Sequence, residues 1–440
     1  MMRGISIIAC VVAVVSICRQ AKVQAQQPRT PSSSSARKPH KVANPLNDLL
    51  DQAQAAMDRN DYRAAVETLN KFVSEKPDVA YAHFQLAYAY TGLERWREAQ
   101  AEYRRATELD PKLAPAYLNL GLLLLDRDSA VAVAPLRKAV ELLPAESRPR
   151  FLLGLALERS GKMSEAAETY QGAERLNPRD FEVEFALGRT LLRLDRAAEA
   201  EMKFRAALDI KRDSAPARLG LANSLFVQHK PEAAGQFESY LKQQPQDAES
   251  RERLARIHYE REELPQALAE LDRAEANAQP TIDSLKLRAD IVIAQKKWDA
   301  AIGVLLKALQ LVPRDAGLHA GLGRIYLEKR DFTAAEKELR AALATDSSQI
   351  NALRDLGTLL YLQGNYAAAL EALDLLAKRE TPLPGSWFVR AICYDKLARK
   401  KEALESYQKF IDLDEGRHDD QNFQARQRIK LLARELQTKR

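Results

Sequence analysis

A small residue recurs along this chain at a nearly constant interval. Ala53, Ala87, Gly121, Gly154, Gly188, Ala222, Ala255, Ala289, Gly323, Gly357 and Ala391 follow one another at 34 residues, with two intervals of 33. A period of this length calls for a stack of like units, each too small to bury its own apolar face, rather than one centred core. Other positions keep the same register. After Gly154 come Ala166 at +12, Tyr170 at +16, Ala173 at +19 and Pro178 at +24; after Ala87 come Ala99, Tyr103, Ala106 and Pro111.

Within each period lie two amphipathic stretches of about a dozen residues, the signature of two short helices. The turn between them carries Gly or charged residues, as in Ser160-Gly161-Lys162 and Gln363-Gly364-Asn365. Glycine or alanine in the first helix and alanine in the second let the two axes approach to about 8 Å, which a large side chain would prevent. The aromatic residue or leucine at +16 fills the space toward the next unit. Proline at +24 ends the second helix, because it lacks an amide hydrogen and disfavours helical geometry in the residue before it. Where the interval is 33, the series continues as Ala132, Leu136, Ala139, Pro144 and as Ala233, Phe237, Tyr240, Pro245, which predicts a turn one residue shorter in both places.

This pattern resembles the tetratricopeptide repeat (TPR): Leu-Gly/Ala, then Ala, then Tyr, Phe or Leu, then Ala, then Pro in a 34-residue frame. The resemblance covers residues 46–415, about 11 units. It implies an all-α, right-handed superhelix, an α-solenoid of helix-turn-helix repeats. Ser347, Thr381 and Glu415 in place of proline, and Leu376 and Phe410 in place of the last alanine, mark departures in the later units. Residues 416–440 place Phe423, Ile429, Leu432 and Leu436 among charges, as a helix that caps the last apolar face would.

Ahead of the repeats, residues 1–25 read as a secretory signal, with Arg3 at the start, an apolar run from Ile5 to Ile17, and small-residue spacing at Val23-Gln24-Ala25. Cleavage is expected after about Ala25, with export to the periplasm or beyond. The run of about 13 residues is shorter than the roughly 20 needed to span a bilayer. Ile7-Ile8-Ala9-Cys10 also resembles a lipobox, though after a short apolar stretch. Residues 26–45 are rich in Pro and Ser and read as a flexible, basic spacer.

These two segments hold seven basic residues and no acid, so the net charge of +6 leaves 60 basic against 61 acidic residues in the body. An electroneutral body gives no footprint for nucleic acid. Cys10 and Cys18 lie in the leader, so Cys393 alone remains and no disulfide can form after cleavage. The six histidines show no metal-binding spacing, and Gly321-Leu322-Gly323 sits inside a helix rather than after a strand. With no GxSxG and no phosphate loop, the residues point to no catalysis, no cofactor, no metal and no small-molecule substrate.

In the family, first helices line the concave groove at fixed offsets around the small residue. Carried over, those offsets select Tyr81, Phe84 and Tyr88, then Leu118 and Leu122, Phe151 and Leu155, and Phe185, all apolar. Further on they select Arg189, Arg193, Asn223, Arg256, Arg324 and Arg354, with Phe226, Tyr259 and Tyr361 among them. Such a groove suits a protein or peptide whose apolar side chains precede acidic ones. Against this stands a reading in which the aromatics pack on neighbouring helices while Glu182, Glu249, Glu252 and Asp290 neutralise the arginines. The Lys/Asn set that clamps a terminal carboxylate is missing, since Tyr88, Leu122, Leu155 and Arg189 stand where Asn is expected. The resemblance implies a non-enzymatic binding scaffold. Rival readings are a subunit of an envelope or secretion assembly, with peripheral membrane association through the basic tail, and a cell-wall glycan binder whose aromatics stack sugars.

Overall fold

The computed structural model describes residues 45–379, 383–415 and 417–437. Those residues form 23 α-helices and no strand. The leader and all but the last residue of the spacer lie outside them, as does Thr381. Twenty-two helices pair into eleven hairpins, here repeats 1–11 with helices A and B, and Asp419–Gln437 follows as a single cap helix. Two compact bodies divide after Pro245, repeats 1–6 in one and repeats 7–11 with the cap in the other.

In each body, most consecutive A helices touch one another while consecutive B helices make no comparable contact. Each stack therefore curves with its A helices inside. What permits the close approach is the missing side chain. A Cβ added to Gly154, in helix A of repeat 4 (Ser147–Arg159), would come within 2.5 Å of the Tyr170 ring in its own helix B (Met163–Leu176). Phe204 at +16 in repeat 5 is gripped from both sides. It lies 3.2 Å from where a Cβ on Gly188 would be, in its own repeat, and 2.3 Å from one on Gly220, in the next. Position +16 thus packs against its own helix A and the following one together.

A second device fastens repeat to repeat. Four residues before the small residue, His83 sets Nδ1 at 2.6 Å from Glu102 Oε2 on its own helix B, while Nε2 donates to the carbonyl of Pro77 at 2.8 Å. His319 does the same with Glu338 at 2.7 Å and the Pro313 carbonyl at 3.2 Å. Arginine fills the position elsewhere. Arg150 donates to the carbonyl of Pro144 at 2.6 Å, Arg218 to that of Arg212 at 2.8 Å, and Arg251 to Glu270 at 2.6 Å. Repeat 5 reverses the polarity, with Glu184 at this position and Lys203 at 3.8 Å on helix B, where Lys203 also holds Glu174.

The A–B turn places one residue in left-handed geometry seven positions after the small residue, in ten repeats of the eleven. Only Gly161 and Gly364 are glycines there; Asn60, Glu94, Asp195, His229, Glu262, Lys296, Arg330 and Ala398 adopt positive φ with a side chain. Repeat 3 drops this residue and starts helix B one position early at Ser129, the shortened turn that its 33-residue spacing predicts. Repeat 6 departs from that expectation. His229 keeps its turn geometry, and the missing residue comes instead from helix B, which starts at Ala233 after Pro231 and runs for 11 residues.

Proline at +24 is dispensable. Repeat 9 has Ser347 there, yet helix B still ends at Thr345, and Asp346 Oδ1 accepts from the Ser348 amide at 2.8 Å to hold the turn. The larger residues of the last repeats are absorbed, with Leu376 and Phe410 fully buried and Phe410 4.9 Å from Phe388 between ring centroids. The cap helix is tied by buried Asp414, which accepts from the His418 amide at 3.0 Å and from the Asn422 side chain. It buries Ala425 and Leu432 against repeat 11 and leaves Phe423 64% exposed, so Phe423 is not part of the covering face expected of it.

Candidate functional site

The inner face is set by which side of each A helix escapes its own B helix. Three residues before the small residue, the side chain goes inward to the hairpin. Phe84, Leu118, Phe151 and Phe185 are buried, and the three rings each lie 6.0 Å from the +16 ring of the same repeat, Tyr103, Tyr170 and Phe204. These four, expected in the groove, belong to the hairpin cores. Leu155 is buried as well. Tyr81, Tyr88, Leu122, Asn223, Arg256 and Arg354 are half-buried, and Arg193 and Arg324 are exposed. Arg354 donates to Asn351 Oδ1 at 3.1 Å.

Arg189 and Arg193 are committed within the protein. Both reach back to Glu158, a buried acid near the end of the preceding A helix. Arg189 makes a bidentate pair, Nε to Oε1 at 3.0 Å and Nη2 to Oε2 at 2.7 Å, and Arg193 adds a bond to Oε1 at 3.2 Å. Tyr170 donates its hydroxyl to Oε2 at 3.1 Å. Burial, with the charge of Glu158 beside it, pushes the Tyr170 phenol well above its ordinary value. Three donors on one buried carboxylate form a structural clasp between repeats 4 and 5. Glu158 was not among the acids expected to neutralise arginine; its only sequence signal is its place one turn beyond Gly154.

Between repeats 2 and 3 a cavity of about 250 Å³ opens at the A–B turns. Aromatic residues dominate its walls: half-buried Tyr62 and Tyr88, edge to face at 6.4 Å, Trp96 and buried Tyr103. Arg127 stacks on Trp96, 4.1 Å from the ring centroid. Asn119 lines the same cavity, is 4% exposed, and sets its side chain beside the Tyr103 hydroxyl.

In the C-terminal body a trough of about 430 Å³ crosses the A helices of repeats 8–10. Its floor is Gly317, Ala320 and Gly321; Trp298 stands at one side, and Asp290, Arg324, Glu328 and Asp355 carry its charge. Burial raises the Asp355 carboxyl, against the opposing pull of Arg324 and Arg354, and it raises Asp290 against Arg256 and Lys286. Asp355 Oδ2 is buried and accepts no hydrogen bond from the described residues. Three acids against one arginine make the trough acidic, whereas the offsets carried over from the family select only arginine among the charged residues of this half.

A family model described as tetratricopeptide repeat matches residues 151–216, 219–280, 320–382 and 354–418, more than half the chain, and a second of the same description matches 56–121 and 292–347. The chain belongs to the tetratricopeptide repeat family. Among relatives, it is 36% identical over 80 residues to the type IV pilus assembly protein PilF of Pseudomonas aeruginosa, 18% of this chain and 31% of that protein. It is 25% identical over 218 residues to the human protein O-mannosyl-transferase TMTC3, 44% of this chain and 24% of that one. The chain spans between about a quarter and a half of the length of the curated relatives it matches. Solved structures with the fold include YrrB, a TPR protein with an unusual peptide-binding site, at 22% identity and TM-score 0.40, covering 42% of this chain and 97% of that one. The C-terminal part of a Cytophaga hutchinsonii TPR protein shares 17% identity at TM-score 0.46, covering 53% and 97%.

TPR proteins serve as protein-interaction scaffolds, and their repeats bind protein or peptide partners. Of the groups that could instead carry chemistry here, Cys393 is fully buried and its thiol is pushed up to about 11 by that burial, the reverse of an activated nucleophile. Among the described residues no cluster of His, Cys, Asp and Glu could hold a metal ion.

Proposed function

We propose that this TPR protein is an exported, non-enzymatic scaffold that seats a protein or peptide partner against the inner face of its A helices. The observation that carries the reading is the trough of repeats 8–10. Side chains there are absent where a backbone would lie, at Gly317 and Gly321, and charged groups of both signs stand beside the bare floor. Among the described residues Arg324 is exposed and makes no ion pair within 4 Å, in contrast to the committed Arg189, and can take a carboxylate bidentately while Asp290 and Asp355 take cations. Export rests on the basic, apolar and small-residue order of residues 1–25.

A second reading, a subunit of an envelope assembly, draws support from the match to a pilus assembly protein. The test is capture by the mature full-length protein from envelope extract, repeated after protease treatment of the bound fraction. Loss of the captured material on proteolysis supports a polypeptide partner. Survival of a carbohydrate fraction points to a glycan and overturns the proposal.

A further inference from the structure

A cap helix covers the last apolar face of a repeat stack with one side and turns a polar side to water. The cap of this protein keeps the first half of that arrangement. Ala425 and Leu432 are buried against repeat 11, Arg428 Nη2 donates to Asp395 Oδ1 at 2.7 Å, and Glu435 holds Lys400 at 2.7 Å. Phe423 breaks the second half. Among the described residues it is the most exposed of the large apolar side chains and the one aromatic ring in that set. Glutamine would solvate the position with no loss of packing, so the repeat stack does not explain the ring.

Its neighbours on the same face are cationic. Helical spacing sets Phe423, Gln427 and Leu431 in one row and Arg426, Lys430 and Arg434 in the row beside it, each row about 12 Å long. All six side chains are exposed. Arg426 and Lys430 make no ion pair with the described residues, whereas Arg428, on the other side of the helix, is committed to Asp395 and Glu435. Asp419 and Asp420 are exposed in the first turn, where the start of a helix favours negative charge. From Arg426 to Arg434 the helix carries no acid, and Lys439 and Arg440 add cations to the same end of the sequence.

We infer that this face of the cap helix lies on the headgroups of an anionic phospholipid bilayer. The Phe423 ring and Leu431 enter the boundary of the acyl chains, while Arg426, Lys430 and Arg434 bend their long stems so that the charged ends stay at the phosphates. The contact is peripheral, since no helix among the described residues is long and apolar enough to cross a membrane. A second copy fits less well. Gln427, Lys430 and Arg434 lie at the middle of the face, and pairing two such helices would bury them, a cost that a bilayer surface does not impose. One row of side chains on one helix also gives a protein partner no socket to close on, and a bilayer needs none. Nothing in this contact depends on what the inner face of the A helices binds.

The experiment is co-flotation of the mature full-length protein with vesicles of phosphatidylcholine alone and of an equal mixture of phosphatidylcholine and phosphatidylglycerol. Wild type is expected on the anionic vesicles only. Arg426→Glu combined with Lys430→Glu should weaken that binding by about tenfold or more, and Phe423→Gln by about threefold or more. Thermal midpoints of both variants should match wild type, because the replaced side chains are exposed. The basic spacer, with Arg29, Arg37, Lys38 and Lys41, can hold anionic vesicles by charge alone. Vesicle binding unchanged in both cap variants therefore assigns the contact to the spacer and overturns the proposal. Absence of wild type from both vesicle types, or equal binding to both, overturns it too. Self-association without vesicle binding, lost in Phe423→Gln, gives the face to a second copy. An envelope protein captured by wild type and not by Phe423→Gln, again without vesicle binding, gives it to a protein partner. Either result overturns the lipid occupant and leaves the scaffold reading standing.

Discussion

Substituting Gly154 by alanine tests the packing where helix A crosses helix B of repeat 4. The new methyl would meet the Tyr170 ring at 2.5 Å, and Tyr170 is fully buried, so the ring must retreat by about 1 Å to reach ordinary contact near 3.5 Å. Overpacking of this kind costs about 1–3 kcal/mol. The same movement carries the Tyr170 hydroxyl off Glu158, a bond to a charged acceptor worth about 1.5–3 kcal/mol. Helix propensity returns about 1 kcal/mol for alanine over glycine. Together these give a net loss of about 1.5–5 kcal/mol. Gly188→Ala makes the useful contrast, because its methyl would lie 3.2 Å from Phe204, and the propensity gain then offsets most of the crowding. Urea unfolding followed by circular dichroism should place Gly154→Ala well below wild type and Gly188→Ala within about 1 kcal/mol of it. Hydrogen exchange should show the loss confined to repeats 3–5, since repeats couple chiefly to their neighbours. A Gly154→Ala protein as stable as wild type, or less perturbed than Gly188→Ala, would refute the reasoning.

Other perturbations separate the remaining parts. Glu158→Ala leaves Arg189 buried without its carboxylate and should cost about 3–5 kcal/mol, measured by denaturant midpoint. Lys296→Gly should stabilise the C-terminal body by roughly 0.5–1 kcal/mol, because its φ of 55° is a geometry that only glycine adopts without cost. Burial raises the Glu184 carboxyl to about 7, so the folded state binds its proton more tightly than the unfolded chain does; the stability this confers is present below about pH 4.5 and lost as pH rises through 7. Glu184→Gln should therefore unfold at a higher temperature than wild type at pH 8 and at the same temperature near pH 4. Phe151→Ala combined with Phe185→Ala should lose helicity and partner capture together, since both rings are hairpin core, at about 3–5 kcal/mol each.

The stack was legible in the sequence because its cause is local and repeated. Glycine or alanine at Gly154 and Gly188 can be read as a helix crossing without coordinates, and the aromatic at +16 as its filler. The inter-repeat fasteners were not legible. His83, Arg150, Arg218 and His319 share a register but not a residue type, and their partners include the main-chain carbonyls of Pro77, Pro144, Arg212 and Pro313, which carry no sequence signal. Nor did an offset carried over from the family distinguish core from groove. A residue three positions before the small one faces its own helix B, so Phe84, Phe151 and Phe185 went inward, while Tyr88 and Arg324, one position after it, stayed on the inner face. Charge pairing was missed for a like reason. Glu158 meets Arg189 across 31 residues, a separation that only the stacking of repeats brings together.

The account stands or falls on whether the A-helix face receives the partner. A photo-crosslinking side chain placed at position 324, in the trough of repeats 8–10, and separately at position 306, on the exposed side of a B helix, measures this with the full-length protein in envelope extract. The prediction is one dominant protease-sensitive adduct at 324 and none at 306. Equal adducts at both positions, or an adduct at 306 alone, would contradict it.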